Sequence, residues 1–263
     1  MPDSDEPGHD GYFAFRDRLL GPLRTTILSA EQLCQAGRLI YGDPRGLSLY
    51  GVCAPDMAAG GITLLGRTAI ECSVDAYTAS VADALAGLRT AEAPAGPQPT
   101  EPVIVDLFCG SGNFGHHLGV RFSHPVHAAE LDPAVYRTAR NNLDRVGSPV
   151  SLHLVDYRDL LGKLPARSTH DIYIVEPPWG PAFTAHGLDL TRTSPPVPDI
   201  LRDIRRSRDG LPCHIVIKTN DHIARDSLHR TFTDATHLHT HTPAPSLPYG
   251  ANMRFHLYRL GDG

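Results

Sequence analysis

The chain has 263 residues, 41% of them hydrophobic, and a formal net charge of −5 at pH 7. It can form one sizeable core, and it lacks the charge expected of a protein with a broad basic surface for a long nucleic acid. No run approaches the roughly 18 apolar residues of a membrane span, the polar N-terminal stretch lacks a secretory-signal pattern, and the five cysteines form no CxxC pair, so we expect a reduced, cytoplasmic protein that does not contact membranes.

The first third of the chain predicts a small α+β extension. Residues 1–11 are polar and acidic and predict a disordered tail. Residues 12–90 mix helical patterns with strand-like pieces, and we expect them to cover a cofactor or substrate. Within this extension, residues 62–72 predict a turn between two strands, whereas Asp75 is expected to cap an alanine-rich helix.

A linker and a regular alternation of patterns follow. Residues 91–102 are rich in proline and alanine and predict a linker. From residue 103 to residue 263, strand patterns alternate with helical patterns, which predicts a mostly parallel α/β sheet covered on both faces. Two final strand patterns without a helix between them predict an antiparallel hairpin. The strand patterns lie at residues 103–108, 126–131, 151–156, 171–176, 214–220, 236–242 and 253–260.

Three histidines alternate in the first strand of that hairpin. His237, His239 and His241 would share one face of a regular strand. An isolated HxHxH pattern is weak evidence for a metal site, and we interpret it as a solvated or interface face of the strand. We therefore predict no metal.

A glycine-rich loop follows the first predicted strand of the sheet. In DLFCGSGNFG, residues 106–115, Gly110, Gly112 and Gly115 have the G-x-G-x-x-G spacing. Such glycines let the backbone approach a ligand closely, and the next helix offers free N–H groups. Glu130, at the end of the second strand, stands where an acid can hold ribose hydroxyls. These features suit NAD and any other adenosine cofactor.

Two further acids favour S-adenosylmethionine (SAM). Asp106 precedes the glycines, and its carboxylate can accept hydrogen bonds from a cationic amine, which SAM has and NAD lacks. Asp156 ends the third strand, where it can accept a hydrogen bond from an adenine amino group. Acids at the ends of three successive strands, together with the glycine loop, predict an adenosine cofactor.

The ordered motifs DLFCGSGNFG, AAELDP, LVDY and IVEPPWG, within residues 103–219, resemble those of class I SAM-dependent methyltransferases. The resemblance implies a Rossmann-like, mostly parallel seven-stranded sheet with a final antiparallel hairpin, and SAM as the cofactor. IVEPPWG is most similar to the [DNS]-P-P-[YFW] motif of the branch that acts on amino nitrogens of bases, and to SPPWG of the cap guanine-N2 methyltransferases. It departs from them at Glu176.

The resemblance also implies roles for individual residues. Asp106, Gly110 and Gly112 would contact the methionine part of SAM, Glu130 its ribose and Asp156 its adenine. The remaining members of the predicted cofactor site are Phe108, Asn113, Leu131 and Tyr157.

The segment after the fourth strand predicts the acceptor side of the site. Ligands of α/β sheets sit at the carboxyl ends of strands. The Glu176 carboxylate and the Pro177 carbonyl could accept the N–H groups of a planar amine and aim its lone pair, and proline pre-positions them. Trp179 offers a flat wall. Further candidates for the substrate pocket are Tyr77, Phe183 and Tyr249.

We predict a SAM-dependent N-methyltransferase that acts on an amino nitrogen of a small molecule or nucleotide. The extra reach of Glu176 leaves open an amidine, a guanidine, an amino acid nitrogen or the amine of SAM itself. Three alternatives remain: an enzyme that uses the aminocarboxypropyl group of SAM and releases methylthioadenosine, an RNA base methyltransferase that uses the arginines of residues 201–210, and a non-catalytic SAM-binding protein.

Overall fold

A seven-stranded mixed sheet organises the chain in the computed structural model, which describes residues 9–92, 101–248 and 252–261. The extension contains α1 (His9–Leu20), α2 (Ala30–Tyr41), β1 (Ser48–Leu49), β2 (Val52–Cys53), α3 (Ala54–Gly60), α4 (Gly66–Glu71) and α5 (Asp75–Glu92). The remainder contains β3 (Ile104–Asp106), α6 (Asn113–Phe122), β4 (Val126–Glu130), α7 (Pro133–Arg145), β5 (Val150–Leu154), α8 (Tyr157–Lys163), β6 (Ile172–Val175), β7 (Phe183–Thr184), β8 (Gly187–Leu188), α9 (Val197–Ser207), β9 (Cys213–Asn220), α10 (Ser227–Thr231), β10 (Ala235–His241) and β11 (Met253–Leu260).

The large sheet has the strand order β10-β11-β9-β6-β3-β4-β5. Strands β9, β6, β3, β4 and β5 run parallel, and β11 is antiparallel to both of its neighbours. From β3 the chain first builds the sheet towards β5 and then returns to add β6 on the other side. That reversal creates a crevice at the carboxyl ends of the strands. The predicted α/β fold with a final antiparallel hairpin is confirmed.

The central strands are apolar because both of their faces are covered. All four residues of β6 and all eight of β9 are buried, which explains the continuous hydrophobic run of β6 and the apolar centre of β9, residues 215–217. The extension packs onto the same core: Leu33 and Met57 belong to one buried cluster with Ile104 and Phe255 of the sheet. The extension and the sheet therefore stabilise each other.

Three local predictions differ from the structure. Residues 62–72 do not form a turn between strands, because Gly66–Glu71 is helix α4. It packs closely on the end of α1 and the turn after it: a Cβ on Gly66 would lie 3.0 Å from the Leu19 carbonyl oxygen and 2.3 Å from that of Leu23. Helix α1 begins at His9, inside the tail expected to be disordered. Helix α5 continues to Glu92, inside the predicted linker. Residues 1–8 and 93–100 lie outside the described residues.

Strand β10 forms as predicted but is irregular. Its pairing with β11 shifts between His237 and His239, so the alternating histidines do not form one uninterrupted row. Within the described ranges, no group of three or more His, Cys, Asp or Glu side chains is placed to hold a metal ion. No helix in this part of the chain is long and apolar enough to cross a membrane.

A buried ion pair joins the amino-terminal end of β6 to the end of α9. The side chains of Arg208 and Asp171 are fully buried, with 2.6 Å between Nη1 and Oδ2. Asp171 also accepts hydrogen bonds from the backbone N–H groups of Val103 and Arg167, at 2.8 and 2.9 Å. Because every group of this network has a partner, it can hold a charge away from water.

We predict that Asp171→Asn destabilises the fold by about 3–5 kcal/mol, because it leaves the Arg208 guanidinium buried without its counter-ion. Urea denaturation measures the free energy of unfolding. Asp234→Asn is the matched control: its partner Arg205 lies 3.7 Å away in a largely exposed pair, and the loss should stay below about 1 kcal/mol. Equal losses in the two variants would contradict the prediction.

Candidate active site

One crevice of about 1390 Å³ opens at the carboxyl ends of the parallel strands, between the sheet and the extension. Single small-molecule sites usually occupy roughly 300–1,000 Å³, so this crevice has room for a cofactor and a second molecule. Most of the predicted site residues line it: Tyr77, Asp106, Phe108, Gly110, Glu130, Leu131, Asp156, Tyr157, Glu176, Pro177, Trp179 and Phe183.

The glycine loop has the backbone that its sequence predicts. Gly110 and Gly112 have φ angles of +52° and +76°, a region that favours glycine. A Cβ on Gly110 would meet no heavy atom of the described residues within 4 Å, so Gly110 faces open space in the crevice. Gly112 instead packs against α7, where a Cβ would lie 2.9 Å from Leu143. Of these two glycines, Gly110 is therefore the one that faces the crevice.

Asn113 is buried and does not line the crevice. Its Oδ1 accepts a hydrogen bond from the backbone N–H of Tyr50 at 2.8 Å, and its Nδ2 donates to the Ser73 carbonyl at 2.9 Å. The Tyr50 hydroxyl in turn donates to the Ser111 carbonyl. Asn113, predicted as a cofactor contact, thus attaches the extension to the glycine loop.

Two acids lie beside that loop. Asp106 is 2% exposed, and burial together with the nearby negative charge of Glu176 raises the pKa of Asp106 well above its usual value. The Glu130 Oε2 accepts a hydrogen bond from the Gly110 N–H at 3.1 Å, and burial raises the pKa of Glu130 as well. Buried carboxyl groups in this arrangement favour a cationic ligand.

The opposite wall is aromatic. The rings of Phe108 and Tyr157 lie 5.1 Å apart, and the Tyr157 hydroxyl donates to Asp203 at 2.8 Å. Asp156 caps α8 by accepting a hydrogen bond from the Arg158 N–H at 2.9 Å. Its carboxylate is half-buried at the crevice, so the wall combines flat apolar faces with one acceptor.

Glu176 ends β6 inside the crevice. Its Oε2 accepts a hydrogen bond from the Ser73 hydroxyl at 3.3 Å and lies 3.6 Å from the Lys218 Nζ. Its Oε1 is buried and has no hydrogen-bond partner among the described residues. Buried acceptors in proteins are nearly always paired, so this oxygen is available to a ligand, as is the Asn220 Oδ1, which lines the same crevice and is likewise buried without a described partner.

Flat side chains follow Glu176. The rings of Trp179 and Phe183 lie 6.0 Å apart, and Phe183 meets His222 edge-on at 6.0 Å. Tyr77 is fixed by a 2.8 Å hydrogen bond from its hydroxyl to the Pro245 carbonyl. Tyr249, the remaining predicted pocket residue, lies outside the described residues.

Sequence reasoning missed two residues, Ser73 and Arg67, that the extension brings to the crevice, whereas Lys218 was recognisable near the end of the fifth strand pattern as a residue that could reach the pocket. Ser73 and Arg67 line it, and Arg67 lies 3.1 Å from Asp132, the residue that caps α7. Lys218 lines it from β9. Its rarity was a signal, because Lys218 and Lys163 are the only lysines of the chain and Lys218 interrupts an apolar strand.

Comparisons with known proteins find no matching family model and no matching curated protein. Solved structures match at low identity. A Pyrococcus horikoshii protein named as a transferase has 15% identity over 82% of this chain and 71% of that chain, with a TM-score of 0.47. Precorrin-6y C5,15-methyltransferase from Geobacter metallireducens has 15% identity over 73% and 90%, with a TM-score of 0.46.

N-methyltransferase NodS from Bradyrhizobium japonicum has 12% identity over 69% of this chain and 95% of that chain, with a TM-score of 0.43. At such identities and TM-scores, these likenesses do not decide what the chain binds or which reaction it carries out.

We predict that Asn113→Ala loosens the extension, because the backbone groups of Tyr50 and Ser73 lose their buried partner at a cost of about 1–3 kcal/mol each. Hydrogen–deuterium exchange should become faster in α4 and α5 while the centre of the sheet stays protected. The matched control is Asn141→Ala, whose side chain is exposed on α7. Unchanged exchange in Asn113→Ala would contradict the prediction.

Proposed function

We propose that the chain is a SAM-dependent methyltransferase whose acceptor is an amino nitrogen of a small molecule or nucleotide. The observation that carries the proposal is the buried Glu176 Oε1, which has no donor within the described residues and lies in the same crevice as the glycine loop. An unpaired buried acceptor is costly unless a ligand supplies the donor. An amine N–H is the matching group.

The residues of the crevice fit SAM. Asp106 and the neighbouring carboxylates supply negative charge for its ammonium and sulfonium groups, and the open face of Gly110 admits its methionine part. Each oxygen of Glu130 accepts one backbone N–H, from Gly110 or Asp132, and retains a lone pair for ribose. When bound, SAM supplies a methyl group on a sulfonium, which is a good leaving group.

The adenine of SAM would lie against the aromatic wall. The rings of Phe108 and Tyr157 offer a flat apolar surface. Asp156, beside them, can accept a hydrogen bond from the adenine amino group.

The residues after β6 would position the acceptor nitrogen. Glu176 Oε1 and the Pro177 carbonyl would accept its N–H groups, which localises the lone pair and directs it towards the methyl group. Proline restricts the backbone, so these acceptors are pre-positioned rather than ordered on binding. Trp179 and Phe183 would cover the substrate with flat surfaces and exclude water.

The arginines of residues 201–210 favour a small substrate over RNA. Arg208 is buried in its ion pair with Asp171. Arg202 pairs with Asp199, and Arg205 lies 3.7 Å from Asp234. Three of the four arginines of this segment thus have acidic neighbours that offset their charge, which weakens the attraction of the segment for phosphates; the fourth, Arg206, is exposed.

One observation favours a second candidate function. Glu176 and Asp106 line the same crevice, and burial together with the charge of Glu176 raises the pKa of Asp106. Glu176 therefore lies near the place proposed for the ammonium group of SAM, and it could act as a base there. Attack on the aminocarboxypropyl carbon would release methylthioadenosine instead of S-adenosylhomocysteine.

We predict that incubation with SAM and a panel of amines yields S-adenosylhomocysteine, measured by liquid chromatography with mass spectrometry. Glu176→Gln should lower kcat by about 100-fold or more and change the Kd for SAM only a few-fold. Glu31→Gln, at an exposed position of α2, is the control and should behave as wild type. Methylthioadenosine as the main product would reject methyl transfer and support the second function.

We predict that SAM binds more tightly as the pH rises through the range in which Asp106 ionises. Because burial and the charge of Glu176 raise the pKa of Asp106, the free protein retains this proton to higher pH than an ordinary aspartate does, and a bound cation favours its release. Below that pKa the affinity should rise by up to about tenfold per pH unit. Calorimetry in buffers of different ionisation enthalpy should detect proton release, and Asp106→Asn should abolish both effects. Affinity that is independent of pH in the wild type would contradict the prediction.

A further inference from the structure

Lys218 occupies an unusual place for a lysine. It lies near the carboxyl end of β9 and is 7% exposed, although lysine is almost never buried without a partner. Lys163, the other lysine of the chain, lies exposed at the end of α8. A lysine that is buried at the crevice requires specific partners for its ammonium group.

Those partners come from two distant parts of the chain. The Lys218 Nζ donates to the Ser73 hydroxyl at 2.8 Å and to the Glu71 carbonyl at 3.3 Å. Glu71 is the last residue of α4, and Ser73 lies between α4 and α5. It also lies 3.6 Å from Glu176 Oε2. An ammonium group has three protons and is a compact charge, so three acceptors on different elements suit it.

This arrangement determines which oxygen of Glu176 remains available. Ser73 and Lys218 both engage Oε2, so the carboxylate is held with Oε1 unpaired by any described residue. The ammonium also offsets the negative charge of Glu176, which faces the buried Asp106. Without that charge, two neighbouring buried carboxylates would not both ionise readily.

From these contacts we infer that Lys218 is a positioning residue that keeps Glu176 charged and oriented, and that does so only while the extension is docked. This inference rests on the proposed function. Ser73 is the link, because its hydroxyl contacts Lys218 and Glu176 while its carbonyl accepts the Asn113 amide. Glu176 becomes a competent N–H acceptor when these contacts are made together.

Several ionisable groups lie around this pair and contribute to any pH dependence. Asp106 faces Glu176 from β3, and Glu130 from β4 acts on Asp106. The Cys72 thiol lies near Lys218; burial raises its pKa to about 12 and Lys218 partly opposes that rise, so this thiol stays protonated near neutral pH. Among these groups, Lys218 is the one that places a positive charge beside the Glu176 carboxylate, 3.6 Å from its Oε2.

The test compares Lys218→Met, Lys218→Arg and the control Lys163→Met, using an amine that the wild type methylates. Lys218→Met should lower kcat by about 100-fold and leave the Kd for SAM within a few-fold. The acid limb of its kcat profile should move to higher pH by about one unit. In Lys218→Arg the acid limb should lie close to its wild-type pH, because arginine restores the positive charge. Lys163→Met should match the wild type.

Two results would overturn the inference: a Lys218→Met variant with wild-type kcat and pH profile, or one that loses kcat without any movement of the acid limb and without recovery in Lys218→Arg. If Lys218→Met does not fold, NMR of isotopically labelled lysine decides. With two lysines, the signals are assigned by Lys163→Met. The Lys218 ammonium signal should shift in Glu176→Gln and in Ser73→Ala, and an unchanged signal would reject the contact.

A failure of the proposed function would look different. A wild-type protein that binds SAM but forms no S-adenosylhomocysteine with any amine rejects N-methyl transfer. The NMR comparison still applies to that protein, and it shows whether Lys218 holds Glu176 whatever reaction takes place.

Discussion

The hydrogen bonds of Ser73 join the three parts of the candidate site. Its hydroxyl accepts from Lys218 of β9 and donates to Glu176 after β6, and its carbonyl accepts from Asn113 at the start of α6. The extension, the glycine loop and the acceptor side of the crevice therefore share one small residue. If these bonds break, the extension no longer covers the crevice, and at the same time Glu176 is no longer held in its orientation.

An acid stands at each end of β6; Asp171 is fully buried, Glu176 is partly buried, and the two differ in how their oxygens are paired. Asp171, before the strand, accepts hydrogen bonds at both oxygens, with Arg208 as its counter-ion. Glu176, after the strand, has Lys218 near one oxygen but lacks any described partner for the other. A fully paired buried acid stabilises a fold, whereas an unpaired one retains a binding capacity that a ligand can use.

Much of the sheet could be predicted from the sequence. Its strands are short apolar runs separated by helical patterns, and both kinds of pattern can be read from consecutive residues. The segment 62–72 could not be predicted in the same way, because α4 forms where Gly66 allows close packing on α1. A local apolar pattern of that length is compatible with a strand or a helix, and only the neighbouring helix decides between them.

The sequence by itself determined the α/β sheet, the positive-φ glycine loop and the acids at the strand ends, because periodicity, glycine and strand order are local or topological properties. Only the tertiary structure decided which of these residues face one another. It directed Asn113 and Gly112 away from the crevice and brought Lys218 and Ser73 to Glu176. Those contacts join residues far apart in the chain, and their strength depends on burial from water, which no local pattern contains.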